Sequence, residues 1–384
     1  MLASMPWDLA RHLPWQVVMN PAEKWATMPS FVLGEYMFIT LAVLCFVHAW
    51  RQGDQRRRHV LTWFAALLAG TANDMIFMAL PLVDNFWQAQ ATIMITPRLP
   101  LYIPCVYISF MYYATVSVWR LGLPPWSRAA LTGLAAALFY APYDIVGAKF
   151  SWWTWHDTDA PIGVRILGAP VGSSLWVLTF VGTFGLLLDR GIARNPALPI
   201  KSFLLTFALV AGCTTVIMVL QLTILQQLDG GTPGYLAFAT GLLVYAGVVA
   251  WKRKSAQPMP PQPGDRLLHA AVVGYFSTLV LIMAVFDPAT HVNTGVHQTV
   301  GECYVEVADI TGKVRYEYLC PSDFDEDYTF ECVDAPPADG SEWYTVCGRA
   351  HTNFPAWLAG VGLLGALGIA VFSYLLGPLR RRTS

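Results

Sequence analysis

Charge is what this 384-residue chain has least of: Asp, Glu, Lys and Arg make up 13% of it, against 55% hydrophobic residues. That balance excludes an ordinary soluble domain. The 24 Lys and Arg nearly cancel the 25 Asp and Glu, and no basic stripe with interleaved aromatics is present to follow a phosphate backbone, which excludes nucleic-acid binding. Also missing are G-x-S-x-G, a Walker A loop, H-E-x-x-H, and the kinase and dinucleotide fingerprints, which argues against common hydrolases and NTPases. No internal repeat stands out. Residues 1–30 carry Asp8, Arg11, Glu23 and Lys24 and no continuous apolar stretch, so no cleavable signal peptide is expected. With Trp7, Trp15 and Trp25, this segment is expected along an outer membrane interface.

Long apolar runs are what the chain does have. A hydrocarbon core roughly 30 Å thick needs about 20 apolar residues, and nine such runs lie near 31–50, 60–83, 101–120, 127–148, 170–189, 202–227, 234–251, 267–286 and 355–378. Each is read as a helix, because lipid offers no partner to an open backbone amide. Of the 24 Lys and Arg, sixteen fall in one set of connections (among them Arg56, Arg57, Arg58, Lys252, Arg253, Lys254 and Arg380, Arg381, Arg382) and eight in the other. That asymmetry predicts the N-terminus outside and the C-terminus inside. The expected fold is an all-α polytopic membrane protein of about nine transmembrane helices, carrying a small disulfide-stapled, β-rich extracytoplasmic domain. The expected segments are 1–30 at the outer interface, a seven-helix core over 31–251, a cytoplasmic proline-rich linker over 252–266, helix 8 over 267–286, the soluble domain over 287–354, and helix 9 with a basic tail over 355–384. A cell membrane is the expected location, the bacterial inner membrane if the source is bacterial.

Cys45, Cys105 and Cys213 fall inside helices, as small buried hydrophobes. The other four fall in the long soluble loop, on the side where oxidised pairs persist. In "GECYVEVADITGKVRYEYLC" a Thr311-Gly312 turn sets Ile310 opposite Lys313, and counting back sets Cys303 opposite Cys320, a spacing suited to a cross-strand disulfide. Cys332 and Cys347 would close a second, looser hairpin. Three connectivities are formally possible; these two pairs are favoured.

Ionisable residues inside membrane segments are functional candidates by default. Glu35, Asp74 and Asp144 sit at matched depth toward the outside, near Asn73, Asp84, Gln88, Gln90 and Lys149. The stretch "YDIVGAKFSWWTWHDTDAPIG" (143–163) adds Trp152, Trp153, Trp155, His156, Asp157 and Asp159. Its tryptophans suit an interfacial aromatic belt; its carboxylates and histidine suit the mouth of a pocket floored by Asp74 and Asp144, where buried carboxylates act as general acids. A metal held by His156, Asp159 and a helix carboxylate is thinly supported with one histidine, and no metal or cofactor is assigned. The inner half shows almost nothing ionisable apart from His48 and His269, which argues against a pump or channel. "DFDEDYTFECVD" offers Asp323, Asp325, Asp327, Glu331 and Asp334 but lacks the glycine and the final bidentate Glu of a calcium loop.

The core over roughly 31–251 resembles a family of uncharacterised multipass membrane proteins carrying versions of "DNFWQAQ" (84–90), "RLPLYIP" (98–104) and "YDIVGAKFSWWTWHDTD" (143–159). More remotely, Glu35-Tyr36, then Trp153-Thr154-Trp155, then "GAP" (168–170) is similar to membrane carotenoid hydratases and related lycopene cyclases. That resemblance implies protonation of an isoprenoid double bond, with Glu35 the matched carboxylate; the HDTD run and the disulfide domain depart from it. Two readings stay open: a membrane enzyme doing acid–base chemistry on a lipid or isoprenoid at the outer leaflet, and a non-catalytic subunit presenting its ectodomain to a protein partner. A transporter ranks third, since no inverted repeat or broken helix is evident.

Overall fold

The computed structural model describes residues 9–80, 83–156, 158–260, 262–309, 312–322 and 327–377. A short helix, α1 (Pro21–Thr27), is capped by Asn20, whose side chain accepts from the Ala22 amide at 3.0 Å. The long helices follow: α2 (Pro29–Trp50), α3 (Arg56–Ala79), α4 (Tyr102–Trp119) and α5 (Pro125–Lys149), with the three-residue strand β1 (Phe86–Gln88) between α3 and α4. Beyond α5 come β2 (Trp153–Trp155), α6 (Ala160–Gly163), β3 (Arg165–Ile166), β4 (Ala169–Pro170), and then α7 (Val171–Arg194), α8 (Ile200–Gln226), α9 (Tyr235–Lys252) and α10 (Asp265–Val285). The soluble segment holds β5 (Val292–Val296), β6 (Glu306–Ala308), β7 (Val314–Tyr316), β8 (Tyr328–Thr329) and β9 (Trp343–Gly348), and α11 (Phe354–Leu375) ends the described chain.

Among the described residues, seven helices are long and apolar enough to cross a membrane: α2, α3, α5, α7, α8, α10 and α11. The expectation of nine also counted α4 and α9. α4 carries Tyr102, Tyr107, Tyr112 and Tyr113 and is buried at every position but Cys105, so it is the central post of the bundle. α9 is apolar but shorter, over Tyr235–Trp251. One core cluster runs through all nine long helices. α10 and α11 are packed into it: the Tyr275 and Phe139 rings stack at 4.1 Å, and Phe276 and Phe372 close on the same ring.

The proline-rich linker is tied to the bundle end it crosses. Gln257 N donates to Gly122 O, Met259 N to Arg120 O, and Gln52 Nε2 to Pro263 O, at 3.1, 2.9 and 2.7 Å. This end holds more ionisable groups than the sequence suggested. Asp265 takes Arg120 at 2.9 Å, Asp189 takes Arg128 and Arg58, and His48 and His59 both place Nδ1 on the Tyr112 hydroxyl, at 2.8 and 3.0 Å. Asp189 and His59 are both buried between helices and paired there.

At the opposite end β5, β9 and β8 form a three-stranded sheet in that order, and β6 pairs with β7. Cys303 is bonded to Cys320 and Cys332 to Cys347, the pairs favoured above. The register differs from expectation by one residue: Ala308 faces Val314, and Asp309 N donates to Lys313 O. Ile310 and Thr311 lie outside the described residues; Gly312, at φ +75°, takes the left-handed conformation that a longer turn needs. Cys303 therefore lies beyond the ladder, past Tyr304 at φ +67°. Cys347 sits in β9 between two strands, so the second bridge ties a sheet rather than closing a lone hairpin.

Candidate functional site

The chain leaves α5 at Lys149 and turns at once into β2, which pairs antiparallel with β1: Phe86 faces Trp155, Trp87 faces Thr154 and Gln88 faces Trp153. β1 is braced by Arg98, which donates to both Asp84 oxygens at 2.7 and 2.5 Å and to the Phe86 carbonyl at 2.8 Å. This hairpin caps the bundle. Trp152 is 0% exposed, donates its indole N–H to Ser30 Oγ at 3.0 Å, and packs edge-on to Phe31. Trp153 is buried and Trp155 partly so. Trp152 and Trp153 therefore stand inside the protein and Trp155 is half-buried, packed against Phe31, Tyr143 and Phe86 rather than forming a lipid-facing belt, with the soluble domain lying over the hairpin at Thr154.

That cover is a polar seam. His291 Nε2 lies 2.7 Å from Ser30 Oγ, His297 Nδ1 is 3.0 Å from Thr154 Oγ1, and Gln298 Nε2 is 2.9 Å from His156 Nε2. Arg315 reaches Asp159 at 3.1 Å, and Lys149 reaches Asp327 at 2.7 Å while lying 3.5 Å over the Trp357 ring. Burial, and then Arg315, hold the His156 ring down to about 3. Burial pushes Asp159 up to about 6 against the pull of Arg315. Both are thus engaged in joining bundle to soluble domain rather than rimming open water.

Under the hairpin lies a cavity of about 650 Å³, within the range of small-molecule sites. α3 contributes Asn73, Asp74 and Phe77; α4 contributes Val106 and Tyr107; α5 contributes Tyr140 and Tyr143; α7 contributes Ser173 and Trp176; α8 contributes Val219, Leu222, Thr223 and Gln226. β1 and β2 supply Gln88, Trp153 and Trp155, and Gly312 and Lys313 of the soluble domain lie at its edge. Along α8 the wall reaches the outside of the bundle, where Val219 is 39% exposed.

One carboxylate, Asp74, lines the cavity, and a second, Asp144, is bonded to its wall. Tyr107 donates to Asp74 Oδ1 at 2.5 Å, and Asp74 Oδ2 is buried without a hydrogen-bond partner. Ser173 donates to Asp144 Oδ2, and Asp144 Oδ1 is likewise buried without one. Asp144, expected in the floor, is not among the lining residues; it reaches the wall through Ser173, which does line it, and lies one helical turn past Tyr140. The indole N–H groups of Trp153 and Trp155 are also buried and unpartnered. Native proteins leave few such groups; several around one hollow mark a place for a ligand or water.

Of the residues singled out from sequence, Asn73, Asp74, Gln88, Trp153, Trp155 and Asp159 line the cavity. Glu35 does not: its oxygens accept from Thr92 N at 3.0 Å, Thr92 Oγ1 at 2.8 Å and Ile93 N at 3.2 Å, fixing the loop that leads into α4. Gln90 braces that loop through the Pro97 carbonyl at 2.9 Å. Trp152 and His156 belong to the cap and the seam. Asp157, like Asp323 and Asp325 of the acidic run, lies outside the described residues. Among those described, no three His, Cys, Asp or Glu gather as a metal site. Sequence reasoning missed Tyr107, Tyr140, Tyr143 and Ser173, because in an apolar helix a tyrosine reads as a hydrophobe and only its neighbours reveal the hydroxyl's task.

The chain belongs to the family described as Domain of unknown function (DUF7802), whose model matches residues 8–376. No curated protein and no solved structure matches it.

Proposed function

We propose that the chain crosses a cell membrane nine times with its N-terminus and disulfide domain outside, and that the cavity beneath that domain takes a lipid or isoprenoid for acid–base chemistry. The sixteen-to-eight division of Lys and Arg supports the orientation, as do two disulfides in one soluble segment. The observation that carries the function is the pair of carboxylates, Asp74 with Tyr107 and Asp144 with Ser173, each bonded through one oxygen to a hydroxyl and left open at the other. Such a group, ionised at rest, can take up a proton and pass it on without first breaking a salt bridge. The exposed α8 wall supports entry from the bilayer side. Glu35 matches the acid of the carotenoid hydratases, but its oxygens are occupied, so the proton-handling role falls to Asp74 and Asp144. A purely presenting role for the soluble domain has less support, since its inner face is spent on the bundle.

The test is to purify the full chain in mild detergent, exchange the detergent, and identify the retained lipid by mass spectrometry. A defined species at close to one per chain is expected. Asp74→Asn should keep it bound and stop its conversion. A retained profile matching bulk membrane lipid, for wild type and variant alike, defeats the proposal.

A further inference from the structure

The unpartnered groups around the cavity are of two kinds. Asp74 Oδ2, Asp159 Oδ1 and, outside the lining behind Ser173, Asp144 Oδ1 are acceptors; Trp153 Nε1 and Trp155 Nε1 are donors. Asp74 is 6% exposed and Trp153 4%, so neither finds its partner in bulk water. Among the described lining residues the cationic side chain is Lys313, exposed at the edge, and Asp159 is already paired with Arg315. The walls between are aromatic and aliphatic.

We infer that the ligand's polar end is an uncharged alcohol, recognised by the indole N–H groups of Trp153 and Trp155 and by the open oxygen of Asp74. This rests on the cavity reading above and narrows its substrate class. A phosphate or carboxylate offers acceptors alone: it would satisfy the indoles but bring like charge to Asp74, with no buried lining cation to offset it. An ammonium offers donors alone: it would suit Asp74 and the ring faces but leave both indole N–H groups unmet, and a buried unmet donor is costly. A hydrocarbon satisfies none of them. A hydroxyl both donates and accepts, and brings no charge into an apolar chamber.

The test titrates the purified full chain with four probes sharing one isoprenoid chain of about twenty carbons, a size suited to the cavity: the alcohol, the hydrocarbon, the monophosphate ester and the amine. Binding is read by native mass spectrometry. The alcohol is expected to bind about tenfold or more tighter than each of the others, the loss produced by one or two unmet buried groups. Trp153→Phe should lower alcohol affinity about three- to tenfold and leave hydrocarbon binding unchanged; Asp74→Asn, tested in parallel, should narrow the preference over the ester, whose like charge it no longer meets, and widen the preference over the amine. Equal affinity for alcohol and hydrocarbon, or tightest binding of the ester or the amine, overturns the inference while leaving the cavity reading standing. Failure of all four to bind overturns that reading, and this inference with it.

Discussion

Gly34, Gly147 and Gly70 come from three different helices, yet each sits where a side chain would run into one aromatic ring. A Cβ on Gly34 would meet the Trp152 ring, one on Gly147 the Trp153 ring, and one on Gly70 the Tyr107 ring. The rings lie at different depths of the site. Trp152 belongs to the cap and is satisfied by Ser30, whereas Tyr107 holds Asp74. Overpacking costs about 1–3 kcal/mol in a close-packed interior, so Gly34→Ala and Gly70→Ala should lower thermal stability in detergent by similar amounts. Only Gly70→Ala should also reduce ligand retention, because it moves the hydroxyl that orients the carboxylate. If Gly70→Ala retains ligand as the wild type does, Tyr107 does not position Asp74. None of this was legible beforehand: an apolar helix shows its glycines but not which ring they admit.

Individual elements were readable where one physical rule dominates. An apolar run of helical length can satisfy its backbone only as a helix, and α2, α5, α7, α8, α10 and α11 fall close to the expected spans. β1 and β2 are three residues each, too short for any alternation to show, and "DNFWQAQ" reads as a polar loop until its partner is known. The disulfide pairing is legible from the cysteine spacing although the strand register lies one residue away from it, because Cys303 sits outside the β6–β7 ladder. The seam was wholly hidden, joining as it does segments far apart in sequence, and it carries its own prediction. Burial holds His156, His291 and His297 down to about 3, about 4 and about 3, from an ordinary value of about 6.5. Each stays neutral in the folded seam while the unfolded chain takes up a proton below about pH 6.5. Their contribution is therefore complete above that pH and is lost as pH falls toward 4 and below. Asp159, raised to about 6, works in the opposite sense: its burial penalty is present above that value and is relieved on acidification. Three histidines with wider shifts outweigh one carboxylate. Hydrogen exchange across 287–354 should thus quicken between about pH 7 and about pH 5 relative to the helices; unchanged protection would show that the seam does not depend on neutral imidazoles.

For the whole molecule, the polarity of its two ends is the testable feature. If the disulfide domain is outside, a membrane-impermeant thiol reagent on intact cells should label Cys303, Cys320, Cys332 and Cys347 only after reduction, and Cys45, buried in α2, not at all. Labelling of all four without reductant would contradict the oxidised framework; no labelling after reduction would contradict the orientation. The general plan of this molecule is legible from composition, since scarce charge and long apolar runs leave few alternatives. The cavity is not, because it depends on α3, α4, α5, α7 and α8 converging and on a cap built from both halves of the chain. That cap also sets a clock. His291 meets Ser30 across 261 residues and Gln298 meets His156 across 142. At about 5–20 residues per second of synthesis, His291 emerges about 10–50 s after Ser30. For that interval Ser30 lacks the imidazole that joins the bundle to the soluble domain, so the seam can close only while the last quarter of the chain is being made.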